Sequence, residues 1–253
     1  MIETLKLIRK NLLLFITAIV VDVTFFIAYG FYTAKIGEKI TAYATLIINK
    51  LSIIMAEQPT GLLKHLFDAE IKPLTINLGL LVIIFFATTY ILYCIFQGTS
   101  WWFITKINEK KDRYHNYLLG FARINLIWMA GYIIYKILDV IISVRYALMQ
   151  KIAENATNTG GKILFAAALL LGITAFFSYP TLKPGTLFRT PLKTSILILI
   201  IGVAFYIAIQ LMLPQINKIN AQAALIIGTI ILFTGINLVK VYTTRATNVH
   251  TRT

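Results

Sequence analysis

The chain has 253 residues, 58% of them hydrophobic and 13% charged, with a mean hydropathy of +0.77. A soluble domain carries about a quarter charged residues, so roughly half of that complement is missing and the apolar residues fall in long runs. This excludes a water-soluble module, and the net charge of +14 does not signify nucleic-acid binding, because the Lys and Arg residues punctuate apolar runs instead of forming one patch.

Cations placed in this way flank membrane helices and touch anionic headgroups on the cytoplasmic side. The expected fold is therefore an all-α polytopic integral membrane helix bundle. It has about six transmembrane helices plus amphipathic interfacial helices. Residues 1–253 form a single membrane domain, since no polar stretch is long enough to fold alone.

Lys6, Arg9 and Lys10 precede the first apolar run, 12–34. A secretory signal has the same layout, and Ala28-Tyr29-Gly30 fits a small-x-small cleavage site. The length of the run and the membrane character of the remaining chain point to an uncleaved first helix. Asp22 stands inside it, twelve residues beyond Lys10, which is about 18 Å along a helix and near the bilayer centre. A carboxylate at that depth needs a partner, a water-filled cavity or a proton.

The next segment, 36–56, has apolar residues at helical spacing (Ile36, Ile40, Tyr43, Ile47, Leu51, Ile54). Glu38, Lys39, Asn49 and Lys50 are interspersed, which suits an amphipathic helix lying in the interface. A seventh crossing over this stretch is the competing reading, and Asn49-Lys50 opposes it. Pro59-Thr60-Gly61 breaks the pattern, and a shorter amphipathic helix is expected over 61–72.

The second crossing is 74–96, with Pro73 suited to its first turn and Trp101-Trp102 at the far interface. Tyr90 and Tyr93 read as members of the same aromatic belts. The third crossing is 117–136, extended by an amphipathic stretch over 137–153. The polar run Asn155-Ala156-Thr157-Asn158-Thr159-Gly160-Gly161 is the most loop-like segment. The fourth crossing, 164–180, ends at Pro180 and the turn at Pro184-Gly185. The fifth, 191–213, starts at Thr190-Pro191 and stops before Pro214, and the sixth is 221–240.

Six crossings place both termini on one side. Segments 1–11, 97–123, 183–193 and 240–253 carry fourteen of the 24 Lys and Arg residues, against ten over the longer segments 35–73, 136–162 and 214–220. The bias puts both termini in the cytoplasm of a multi-pass cell-membrane protein.

The candidate intramembrane polar site is Asp22 with Arg123 and Asn125. Arg123 lies about six residues, or roughly 9 Å, into the third helix from the cytoplasmic face, and its long side chain either snorkels back to the headgroups or leans toward Asp22. Asn125 belongs to the same polar zone. Lys136 and Asp139 share a helix face as an ordinary i,i+3 pair. Ala168 with Gly172, Ala204 with Ala208, and Ala224 with Gly228 point to close packing of the last three helices. Cys94 reads as a small buried hydrophobe.

No catalytic, cofactor-binding or metal-binding residue is expected. His65, His115 and His250 stand apart, and no His-Glu-x-x-His, Cys-x-x-Cys, Gly-x-Ser-x-Gly or phosphate-cradling glycine loop occurs. Two functions fit these features. The first is a non-enzymatic membrane component (subunit, scaffold or assembly factor), with a protein partner or second copy left open, and it requires Asp22 to be paired and dry. The alternative is a small-solute or ion transporter or channel, which requires Asp22 to sit in a wet cavity.

Overall fold

The computed structural model describes residues 2–57, 68–108, 113–152 and 158–249. Among them there are helices and turns but no strand. In chain order the helices are α1 (Ile2–Lys10), α2 (Leu12–Glu57), α3 (Lys72–Ile107), α4 (Tyr114–Ile152), α5 (Thr159–Ser178), α6 (Thr186–Arg189), α7 (Leu192–Ile219) and α8 (Ala221–Val249). Six described stretches are long and apolar enough to cross a membrane: Leu12–Ile54, Lys72–Ile107, Tyr114–Ser143, Thr159–Ser178, Leu192–Gln215 and Ala221–Thr247. In hydrocarbon every peptide group must find its partner within its own segment, and runs of this composition do so as α-helix. The chain is an all-α, multi-pass membrane protein.

Several boundaries differ from the sequence expectation, each for a local reason. Segment 36–56 is not a separate interfacial helix, because α2 runs unbroken for 46 residues. Gly37 is the weakest link there, and an isolated glycine costs a helix only about 1 kcal/mol. The helix expected over 61–72 lies largely outside the described residues; residues 68–71 form a turn, and Lys72 N–H donates to Asp68 O at 2.8 Å to start α3. Helix α4 runs on through Ile152, as the expected extension of the third crossing requires. The loop-like run ends earlier than its composition suggests. Asn158 caps α5, its Oδ1 accepting from Gly161 N–H at 2.8 Å, so Thr159, Gly160 and Gly161 form the first turn.

Pro214 does not stop the fifth crossing; it lies inside α7. It removes one backbone donor, which a helix with intact neighbouring turns tolerates in a membrane. Leu182 takes the left-handed conformation (φ 56°) in the turn after Pro180. A Cβ at Gly120 of α4 would come within 2.6 Å of Leu182 Cδ1, so the Leu182 side chain packs directly over that glycine.

By packing, the chain divides into two compact units: residues 1–23 with 94–253, and residues 24–93. The boundaries fall inside helices, so no linker composition marks them. In the second unit the two helical stretches run antiparallel. Phe25 meets Tyr93 edge to face, Tyr32 stacks on Phe85 and donates to Ile84 O at 3.2 Å, and Lys50 pairs with Glu70 at 3.7 Å.

In the first unit a core cluster joins Ile8 of α1, Phe15 and Ala18 of α2, Ile104 and Ile107 of α3, and Val241 of α8. Of the small-residue pairs, only the one on α8 marks a close approach. Ala224 is buried, a Cβ at Gly228 would stand 2.6 Å from Leu213 Cδ2, and one at Gly235 would overlap the Phe205 ring. Ala204 and Ala208 are exposed and Gly172 has open space beside it, so those positions carry no helix contact.

Candidate functional site

The most polar buried cluster among the described residues is built around Asp22. Helix α2 presents this carboxylate, 1% exposed, to α3 and α8. Gln97 and Ser100 lie three apart on α3, and Asn237 and Lys240 lie three apart on α8, so each pair shares a helix face. The five side chains converge. Lys240 Nζ donates to both carboxylate oxygens, at 3.0 and 2.8 Å, to Gln97 Oε1 at 3.1 Å and to Ser100 Oγ at 2.9 Å. Gln97 Nε2 donates to Asp22 Oδ1 at 3.0 Å, and Asn237 Nδ2 to Asp22 Oδ2 at 2.7 Å.

Each carboxylate oxygen therefore accepts two hydrogen bonds. Lys240 is 3% exposed, and the Trp101 ring stands 5.4 Å from its Nζ, adding an aromatic face to the ammonium. This is a charge pair sealed from solvent, with opposite charges and polar partners offsetting much of its desolvation. One group is not satisfied: Asn237 Oδ1 is buried and has no partner, while its amide nitrogen also donates to Phe233 O at 2.9 Å.

The ion pair of Asp22 with Arg123 that the sequence left open is not the one the structure forms. Arg123 is exposed on α4, and Asp22 takes Lys240 instead. A lysine on α8 already meets the carboxylate at contact distance, so the carboxylate has its cation without Arg123. Asn125 is buried in a neighbouring polar zone, where it donates to Cys94 Sγ at 3.4 Å and accepts from Tyr179 Oη at 3.2 Å. Tyr117 Oη donates to Tyr179 O at 2.8 Å, and Trp128 Nε1 to Ser178 Oγ at 2.9 Å.

Trp101 links the two zones. It touches Lys240 on one side and lies 5.7 Å from the Tyr179 ring and 5.0 Å from that of Phe176. At 1% exposure it is a core residue, not the interfacial belt residue its position suggested.

Lys136 and Asp139 do share a face, 3.5 Å apart, with the ammonium also above Tyr132 and Tyr135. Among the described residues no group of three or more His, Cys, Asp or Glu side chains is placed to hold a metal.

Lys240 and Ser100 were not anticipated as site residues, whereas Gln97 and Asn237 are among the uncharged polar residues of the apolar runs that either bond between helices or line a path with Asp22. Lys240 ends an apolar run and so reads as a flanking cation. The signal that could have found it is the stripe Asn237, Lys240, Thr244 and Thr247, polar residues at 3-4-3 spacing that occupy one helix face and are all buried. No family model, curated protein or solved structure matches the chain.

Proposed function

We propose that the chain is a non-enzymatic component of the cell membrane (a subunit, scaffold or assembly factor) with both termini in the cytoplasm, in which Asp22 and Lys240 fasten three helices. The observation that carries this reading is burial: Asp22 is 1% and Lys240 3% exposed, with both carboxylate oxygens occupied. A carboxylate that exchanges an ion or proton needs a wet approach.

The test separates a clasp from a conduit. Asp22→Asn and Lys240→Met are each expected to lose the monodisperse gel-filtration peak in detergent. Asp22→Leu combined with Lys240→Met is expected to restore it, because two apolar side chains can close the same space without charge. A well-folded Asp22→Asn variant that has lost a proton or potassium flux seen with the wild type in proteoliposomes would overturn the reading.

The second reading, a small-solute or ion transporter working through Asp22, is favoured by one observation. Asn237 Oδ1 is fully buried without a partner next to the carboxylate, and a water entering from one face would supply one.

A further inference from the structure

A groove of about 190 Å³ opens between α1, α7 and α8. Leu5 of α1, Ile198 and Ile201 of α7, and Leu238 and Tyr242 of α8 line it, and the lining is almost wholly apolar. Such a surface accepts hydrocarbon, not a polar solute.

Helix α1 supplies the second half of the argument. Thr4 and Ile8 are buried, whereas Leu5, Lys6 and Arg9 are exposed. Glu3, the one acidic residue of α1, is paired with Arg245 of α8, so it leaves these cations uncompensated. Arg9 is four residues beyond Leu5, one turn along the same face, so a cation shares the helix face of the residue that walls the groove.

Hydrocarbon space beside a cation matches one ligand class, an acyl chain carrying an anionic headgroup. We propose that this groove seats an acyl chain of an anionic phospholipid, with Arg9, assisted by Lys6, holding the phosphate. Arginine suits that role because its planar donors meet phosphate oxygens two at a time. The lining shares no side chain with the Asp22 cluster, and the proposal does not depend on how that cluster is used.

The experiment is native mass spectrometry of the full-length protein in detergent, with phosphatidylglycerol or phosphatidylcholine of matched chains added at equal concentration. Phosphatidylglycerol adducts are expected to survive activation better than phosphatidylcholine adducts. Arg9→Gln is expected to lower phosphatidylglycerol retention about fivefold, as loss of one interfacial cation predicts. Ile201→Trp fills the groove, keeps every charge and is expected to bring retention down to the phosphatidylcholine level. Leu5→Phe does the same from the α1 side if Ile201→Trp does not fold. Lys218→Gln, at the far end of α7, is expected to leave retention unchanged. Equal retention of the two lipids, or retention that survives groove filling and falls only with charge removal, would overturn the proposal.

Discussion

Asp22 and Lys240 show how a charge persists inside an oil-soluble fold. Removing one member strands the other, which costs about 3–5 kcal/mol when the survivor stays buried. The requirement is for more than a positive charge. Lys240 fits as a compact ammonium with acceptors on Asp22, Gln97 and Ser100 and the Trp101 ring 5.4 Å away. A guanidinium is planar and larger, so Lys240→Arg is expected to destabilise the fold by roughly 1–3 kcal/mol despite preserving the charge. Thermal unfolding in detergent measures this, and a wild-type midpoint for Lys240→Arg would show that charge alone suffices. That Asp22 needed a partner, a water-filled cavity or a proton was legible in the sequence, because a bare carboxylate in an apolar run is costly. Which cation would answer was not legible. Arg123 lies inside an apolar run and Lys240 at the end of one, so Lys240 reads as a flanking cation, whereas in the structure α8 continues for nine residues beyond it and it is buried beside Asp22.

Helix existence was readable from hydropathy, since each apolar run did become helix, whereas helix ends and helix contacts were not. An end depends on single hydrogen bonds, such as the one from Gly161 N–H to Asn158 Oδ1 that starts α5 inside an apparent loop. A contact depends on what the opposite helix presents. Gly202 on α7 and Gly235 on α8 are both helical glycines within apolar crossings, yet the first faces open space and the second faces the Phe205 ring. Alanine at these two positions is expected to act in opposite directions. Gly202→Ala is expected to stabilise by up to about 1 kcal/mol, the ordinary gain of alanine over glycine in a helix. Gly235→Ala is expected to destabilise by about 1–3 kcal/mol, because Phe205 must leave its rotamer or α7 must move away. Differential scanning fluorimetry of the pair in one detergent compares them directly. Equal shifts would mean that α7 and α8 do not approach at Gly235.

At the scale of the whole molecule, the long helices set the problem of where the bilayer lies. Helix α2 has 46 residues and α4 has 39, about 69 and 58 Å of helix, against a hydrocarbon thickness of about 30 Å. Length therefore leaves the crossing undefined, and flanking charge has to define it. The buried pair alters that count. Lys240 is sealed in the core and drops out of the cytoplasmic group, leaving thirteen cations against ten. The remaining bias still favours cytoplasmic termini, because short loops dominate the rule and residues 106–113 hold four cations in eight positions. That proposed orientation predicts Lys183, in the turn before α6, on the inside and Lys218, near the end of α7, on the outside; both are exposed. The native Cys94 is buried and offers little background for thiol labelling. In intact cells an impermeant maleimide is expected to modify Lys218→Cys and to spare Lys183→Cys until the membrane is opened. The reverse pattern would invert the protein, and with it the side of the membrane on which α1 and its groove meet lipid headgroups.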